Sequence, residues 1–261
     1  MIELPQLGLA SALILVNVGL SIVLKLGLTR SLLVASTRMV VQLFLIGYIL
    51  EWLLSQRNPF LIVGMGLMMA SIAGFSAVDR TKRYFSGLYW NSLISILTSA
   101  AIITGLAVTG ILQIDPWYTP QYLIPLLGMV LGNALNGICL GIDRFLDNLV
   151  NQQEQIELLL TLGATRWEAA QQSFQDAIRT GMMPITNSMM VTGLVSLPGM
   201  MTGQILAGAN PVEAVRYQIV IMFMIAAAVA LGTLGIVSLA FLSLFSPEHR
   251  LHLDRILSRF Q

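Results

Sequence analysis

The chain has 261 residues, of which 56% are hydrophobic and only 10% are charged, and its mean hydropathy is +0.79. A soluble domain of this length cannot bury so much apolar surface, so we interpret the chain as a membrane protein. A formal net charge of +1 without any basic run argues against a nucleic-acid partner, because phosphate binding needs clustered Lys and Arg. The single cysteine, Cys139, excludes an internal disulfide.

Seven apolar stretches are long enough to cross a bilayer, whose hydrocarbon core of about 30 Å needs about 20 helical residues. They predict an all-α polytopic protein with about seven transmembrane helices in a single membrane domain, residues 1–261. The predicted spans are residues 7–26, 32–54, 60–78, 88–112, 122–142, 184–206 and 218–245. We expect the first span to be retained, because its positive charges, Lys25 and Arg30, come at and after its end, whereas a signal peptide carries its positive charges first.

The positive charges are distributed unequally between alternate connections. One set of connections holds Lys25, Arg30, Arg80, Lys82, Arg83, Arg144, Arg166, Arg179, Arg250, Arg255 and Arg259. The other set holds Arg57 and Arg216. Because cytoplasmic loops carry the excess of Lys and Arg, this predicts a cell-membrane protein with its N-terminus outside and its C-terminus in the cytoplasm.

The one long polar connection, residues 143–181, is predicted to be a cytoplasmic helical hairpin. Gly163 can adopt the left-handed conformation that ends a helix, and Thr165 with Glu168 forms a capping-box pattern that begins the next. Each helix has an apolar stripe: Ile142, Phe145, Leu146, Leu149, Ile156, Leu159 and Leu160 in the first, and Trp167, Ala170, Phe174 and Ile178 in the second. From periodicity alone, the hairpin either projects into the cytoplasm or lies against the membrane.

The run Glu157-Leu-Leu-Leu-Thr-Leu-Gly163-Ala164-Thr165, followed later by Pro184, resembles the EAA loop of ABC transporter permeases. In that loop a Glu, a Gly-Ala pair and a later Pro surround a helix that docks in a groove of the ATPase subunit. Leu158 and Leu159 replace the two alanines of the pattern. The resemblance implies that the hairpin is a coupling helix, with the ATPase-coupling residues Glu157, Gly163, Ala164, Thr165, Trp167 and Glu168.

Two longer stretches, residues 193–223 and 38–52, resemble the FetB-like permease family, the membrane subunits of proposed bacterial iron exporters and of plant aluminium-tolerance transporters. The likeness covers nearly the whole chain. It implies a permease that forms a homodimer, binds a separate ABC ATPase subunit and exports an iron-type metal or a small complexed solute. The chain has no G-x-x-x-x-G-K-[ST] sequence. ATP and Mg are therefore expected on the partner, and this chain is expected to bind no cofactor and to be no enzyme.

Arg38 is the one charged residue well inside a predicted span, and Gln42 follows it on the same face. A charge at mid-helix costs about 2.5–3.5 kcal/mol on insertion scales, so an unpaired Arg38 facing lipid is disfavoured. Its side chain either extends to the cytoplasmic headgroups, faces the bundle to attract an anionic substrate or a partner's acidic end, or pairs with backbone carbonyls.

The fifth predicted span carries glycines at four-residue spacing. They are Gly128 with Gly132, and Gly137 with Gly141. Small residues at this spacing predict close helix packing. Asn133 and Asn136 lie near the same face and either bond to neighbouring helices or line a substrate pathway.

The sixth predicted span contains a helix break at Pro198 and Gly199. Carbonyls freed at residues 193–197 must find partners in protein or in a wet cavity rather than in lipid. The break is flanked by the polar residues Thr192, Ser196, Thr202 and Gln204. It is either a packing kink or a gating hinge that contacts substrate. The candidate pathway residues are therefore Arg38, Gln42, Asn133, Asn136, Ser196, Pro198, Gly199 and Gln204.

No carboxylate or histidine falls clearly within a predicted span, which favours an external energy source over a proton relay. The rival interpretations are an ATP-independent secondary carrier, a channel and a membrane scaffold. The six methionines between Met182 and Met201 raise the alternative of a soft-metal site, but Met is also a common core filler, and we predict no metal site.

Overall fold

The computed structural model describes residues 4–55 and 58–258, apart from the side chains of Leu4 and Leu7. The chain divides into two compact units at the boundary between Arg57 and Asn58. Two of the basic residues counted above, Arg57 and Arg259, lie outside the described residues.

The first unit is a pair of helices, α1 (Leu4–Val23) and α2 (Thr29–Ser55). The chain reverses between them at Lys25 and Gly27, both of which have positive φ. The Ser21 hydroxyl holds the start of α2, because it accepts hydrogen bonds from the Leu28 amide at 3.1 Å and the Thr29 hydroxyl at 3.2 Å.

The second unit is a helical bundle with a small two-stranded sheet at one end. Its helices are α3 (Pro59–Asp79), α4 (Leu88–Gly105), α5 (Pro120–Asn151), α6 (Gln153–Thr161), α7 (Arg166–Val191), α8 (Gly199–Leu206) and α9 (Pro211–Leu244). A π-helical turn, Leu106–Ile111, extends α4, and a 3-10 turn, Leu253–Arg255, precedes β2. The strands are β1 (Arg83–Phe85) and β2 (Ile256–Ser258). Asn58 and Asn210 cap α3 and α9 through their side chains, and each is followed by a proline, which suits the first helical position.

The described residues contain five helices that are long and apolar enough to cross a membrane. These are Thr29–Ser55, Pro59–Asp79, Leu88–Ile111, Pro120–Asn151 and Pro211–Leu244. The predicted all-α membrane architecture is therefore confirmed. Of the two other predicted spans, α1 contains a shorter apolar segment, Gly8–Val23.

The predicted span at residues 184–206 is not one helix. Pro184 lies inside α7, which ends at Val191, and α8 begins only at Gly199. The chain leaves the helix at Thr192, which is extended, and Gly193 has a φ of +88°. The helix therefore ends seven residues before Pro198, and Pro198 is instead the N-cap residue of α8.

Three helices of the bundle meet at glycines. A Cβ on Gly137 of α5 would lie 2.6 Å from Val229 Cγ1, and one on Gly181 of α7 would lie 2.7 Å from the Gly137 carbonyl oxygen. Thr233 of α9 fills the remaining space against these two glycines and Gly141. The predicted packing role of Gly137 and Gly141 is thus confirmed.

The other glycine pair of α5 does not mark a close crossing. A Cβ on Gly128 would only touch Met69 Cε at 3.4 Å. At Gly132, none of the described atoms outside its own helix lies within 4 Å of the Cβ position. The four-residue glycine spacing therefore predicted close packing correctly in one half of the helix only.

One end of the second unit collects several distant segments. Strand β2 pairs antiparallel with β1, with Tyr84 opposite Leu257. Arg83 Nε contacts Asp147 Oδ1 at 2.8 Å, and the Lys82 amide donates to Asp143 Oδ1 at 2.9 Å. The α3–α4 connection, the C-terminal part of α5 and the C-terminal tail therefore share one end, as the charge pattern requires.

We expect Gly181→Ala to destabilise the bundle by about 1–3 kcal/mol, because its methyl group would meet a backbone carbonyl oxygen that cannot move aside easily. Gly132→Ala is the matched control, since its methyl group enters open space. Thermal unfolding in detergent measures both variants. Equal melting temperatures for the two variants would show that the three-helix crossing is not tightly packed.

Candidate functional site

The turn between α6 and α7, together with α6 and the first residues of α7, is here named the elbow (residues 153–168). Gly163 takes a φ of +94°, as its predicted helix-ending role requires. The Gly163 and Ala164 amides donate to the Leu160 and Leu159 carbonyls at 3.1 and 3.0 Å. These bonds close the end of α6 and reverse the chain.

The predicted capping box starts α7. The Thr165 hydroxyl accepts from the Glu168 amide at 3.3 Å, and the Glu168 carboxylate accepts from the Thr165 amide at 2.7 Å. The backbone bond from Thr165, and then the bond from its hydroxyl, lower the pKa of Glu168 below its ordinary value. Glu168 is therefore ionised at neutral pH and fixes the direction in which α7 leaves the elbow.

Aromatic rings attach the elbow to the end of α9. The Trp167 ring lies 5.1 Å from that of Phe174 and 5.9 Å from that of Phe241, both in edge-on geometry. The Arg166 guanidinium stands 5.6 Å above the Phe241 ring, within the range of a cation–π contact. Trp167 thus joins α7 to α9 while part of its surface stays exposed.

The C-terminal tail also binds the elbow. The Arg166 amide donates to His249 Nδ1 at 3.1 Å, and Arg166 Nη1 donates to the Phe245 carbonyl at 3.4 Å. Sequence reasoning assigned no role to this tail. The contacts join residues about eighty positions apart, and no local pattern signals such a pairing.

The outer surface of α6 is apolar and acidic. Leu158 and Leu162 are 58% and 76% exposed. Glu154 and Glu157 are exposed beside them, and Glu157 accepts a bond from Gln153 at 2.8 Å. Helix α6 contains no Lys or Arg. An exposed leucine pair with an acidic surround is typical of a surface that another protein covers.

The arms of the elbow are continuous with the bundle. The predicted span ends at residue 142, but α5 continues to Asn151, about 13 Å further at 1.5 Å per residue. The apolar stripe explains this continuation, because Phe145, Leu146 and Leu149 are fully buried. The prediction of a separate first hairpin helix over residues 143–163 is therefore wrong. Its N-terminal part belongs to α5, and α6 begins after a break at Gln152.

The two asparagines of α5 are both hydrogen-bonded. Asn133 Nδ2 donates to the Met129 carbonyl of its own helix at 2.8 Å. Asn136 Oδ1 accepts from Arg80 Nη1 at 3.3 Å, which ties α5 to the end of α3. Arg38 and Gln42 lie on α2 in the first unit, and both are exposed there.

The polar break between α7 and α8 forms a tight loop. The Gly193 amide donates to the Ser196 carbonyl at 2.8 Å, and Thr192 and Ser196 form a parallel bridge. Pro198 and Gly199 start α8, whose Gln204 is half-buried. The loop's Leu194 and Val195 are 90% and 84% exposed. The expectation that this break is an interior feature is thus not met within the second unit.

The described residues include no cluster of three or more His, Cys, Asp or Glu side chains that could hold a metal ion. Cys139 is buried, and its thiol donates to the Ala77 carbonyl at 3.2 Å. The predicted coupling residues converge at the elbow. It gathers Glu157, Gly163, Ala164, Thr165, Trp167 and Glu168 between two helices of the bundle.

The chain is similar to proteins from bacteria and plants along nearly its whole length. It is 39% identical over 226 residues to "UPF0014 membrane protein slr1647" of Synechocystis, covering 87% of each chain. It is 33% identical over 247 residues to "Probable iron export permease protein FetB" of Escherichia coli K12, covering 94% of this chain and 93% of the relative. It is 34% identical over 242 residues to "Protein ALUMINUM SENSITIVE 3" of Arabidopsis thaliana, covering 93% and 87%.

No solved structure matches the chain. The model of one family, described as "Uncharacterised protein family (UPF0014)", matches residues 4–245. This match spans both units and includes the elbow and the break between α7 and α8. The chain therefore belongs to the UPF0014 family of membrane proteins.

Proposed function

We propose that this chain is the membrane-spanning permease subunit of an ABC transporter that exports an iron-type metal or a small complexed solute. A separate ATPase subunit supplies the energy. The observation that carries the proposal is the elbow, an exposed apolar and acidic helix held between α5 and α7. The name of the Escherichia coli relative, a probable iron export permease, supports the substrate class.

Force applied to the elbow has a direct route into the bundle. Both of its arms reach the crossing where Gly137 of α5 meets Gly181 of α7. Helices that touch backbone to backbone cannot slide independently, since packed interiors have little free space. Closure of an ATPase pair against the elbow would therefore move α5 and α7 together, pivoting at their contact with Val229 and Thr233 of α9.

The proposed topology has seven crossings, with the N-terminus outside and the C-terminus in the cytoplasm of a cell-membrane protein. Helix α1 makes the first crossing, and the C-terminal part of α7 with α8 makes the sixth. The elbow lies at the same end of the second unit as the basic α3–α4 connection and the tail, which supports a cytoplasmic position for all three. In this topology the spans contact the lipid bilayer, and the elbow contacts the ATPase.

The loop at residues 192–198 supports a homodimer. Non-helical backbone at membrane depth is tolerated only where protein covers it or where it lines a water-filled cavity. The Leu194 and Val195 side chains of this loop are almost fully exposed, so the second unit does not cover the loop. A second copy would cover its apolar side chains, while Ser196 and Gln204 would face the pathway between the copies. In this arrangement the break between α7 and α8 is the hinge of the pathway, and Arg38, Gln42 and the two asparagines remain candidate lining residues.

We expect the double substitution Leu158→Asp and Leu162→Asp to reduce ATPase recruitment at least about tenfold, because it places two charges in an apolar contact. Both residues are exposed, so the fold should tolerate the change. Co-purification of the ATPase with the tagged chain measures the effect. Gln155→Asp, an exposed position on the same helix, is the control and should recruit the ATPase normally. Normal recruitment by the double variant would place the docking surface elsewhere.

We expect Leu194→Cys, in a Cys139→Ala background, to cross-link two copies of the chain in native membranes under mild oxidation. The reason is that the loops of two copies would face each other across the dimer axis. Non-reducing gel electrophoresis detects the product. Phe223→Cys on α9 is also highly exposed but is expected to face lipid, so it should give no cross-link. Equal cross-linking of the two variants would argue against this loop as the dimer contact.

A further inference from the structure

A cavity of about 310 Å³ lies between α3, α4 with its π-helical turn, and α5. All of it belongs to the second unit, at the end away from the elbow, because Trp117 of the α4–α5 connection lines it. The lining is almost wholly apolar and includes Ile62, Leu67, Ala100, Val108, Leu127 and Leu131. Cavities of this kind exclude water and accept apolar ligands.

The cavity has a buried floor and an exposed rim. Ala70, Ala100 and Thr104 on the floor are nearly inaccessible to solvent. Leu67 and Trp117 on the rim are about half exposed. Since α3, α4 and α5 are candidate membrane spans, an exposed rim on them is accessible to lipid. Trp side chains concentrate near the membrane–water interface, which is the position that Trp117 indicates for the rim.

One polar atom on the floor has no partner. The Thr104 hydroxyl is buried, the residue being 2% exposed, and no described residue hydrogen-bonds to it. Two neighbouring threonines behave differently: Thr98 donates to the Ile94 carbonyl at 2.7 Å, and Thr109 donates to the Gly105 carbonyl at 2.8 Å. A buried hydroxyl without a bond is costly, so Thr104 is a polar atom in the cavity that a ligand could satisfy.

The π-helical turn lines the cavity through Val108 and Thr109. Leu106–Ile111 winds more widely than an α-helix, and the Leu112 amide donates to the Ala107 carbonyl, five residues back, at 2.7 Å. At Gly105, where the turn begins, no described atom outside its own helix lies within 4 Å of the Cβ position. Short π-helical segments within α-helices are rare and occur frequently at functional sites.

From these observations we propose that the cavity binds one acyl chain of a phospholipid from the leaflet opposite the elbow, with an ester oxygen of the lipid accepting a hydrogen bond from Thr104. The apolar walls fit the chain, and the single hydroxyl fits a single ester oxygen. The lipid enters at the rim near Trp117, and its ester group lies inside the cavity at Thr104. This site does not depend on the transport function proposed above.

The test uses Trp117 as the reporter, after Trp52, Trp90 and Trp167 are replaced by Phe. The delipidated protein in detergent is titrated with phosphatidylcholine that carries a dibrominated acyl chain, which quenches nearby Trp fluorescence. We expect a saturable quenching phase. Thr104→Val should weaken it about fivefold, since it removes one hydrogen bond, and Thr104→Ser should restore it.

Gly105→Leu fills the cavity and should abolish the saturable phase. Gly64→Leu is the matched control on α3: its Cβ position is also free of contacts with the described residues, but it does not line the cavity. Ala101→Phe is a second blocking variant if Gly105→Leu fails to fold. Equal saturable quenching in the blocked and control proteins would overturn the proposal. Tighter binding of dibrominated stearic acid than of the phospholipid would overturn it too, because the occupant would then be a free fatty acid.

Discussion

The close approach of α5, α7 and α9 is the constraint on which the rest of this structure depends. Gly137, Gly141 and Gly181 have no side chains, so Thr233 and the neighbouring backbones occupy the space that Cβ atoms would need. In a bilayer, where apolar burial gives helices no strong reason to associate, such close packing is a principal source of cohesion. The helices that carry the elbow are therefore fixed to each other and to α9 at one point.

The elbow is connected to this crossing and to the C-terminal tail. It includes the start of α7 and follows the C-terminal extension of α5 after the break at Gln152, so both helices connect it to the crossing. The C-terminal tail holds the start of α7 from the other side, through His249 and the Phe245 carbonyl. The same tail continues into β2, which pairs with the α3–α4 connection. The elbow, the C-terminal tail and the α3–α4 connection are thus linked at one end of the bundle.

The parts of the fold that the sequence predicted well are those set by neighbouring residues. Gly163, Thr165 and Glu168 specify a helix end and a helix start within six positions, and the structure has both. The apolar spans followed from length and hydropathy. Hydropathy could not locate the end of α7, because Thr192 and Gly193 leave the helix within an apolar stretch. It also stopped the fifth span at residue 142, although helical periodicity continues beyond it.

The features that the sequence did not predict are non-local. Arg80 meets Asn136, and Arg166 meets His249, across separations that no periodic pattern records. The cavity beside Thr104 is a gap left between α3, α4 and α5, and the packing of three helices cannot be derived from composition. The exposure of Leu194 likewise could not be predicted, because it depends on which other segments pack against the loop.

The most direct test of the account is uphill transport by vesicles that contain this chain, with and without the proposed ATPase subunit. Iron(II) movement against a gradient is the measured quantity. The account predicts such movement only when the ATPase and ATP are both present. Uphill movement by the chain alone, driven by a proton or sodium gradient, would contradict it.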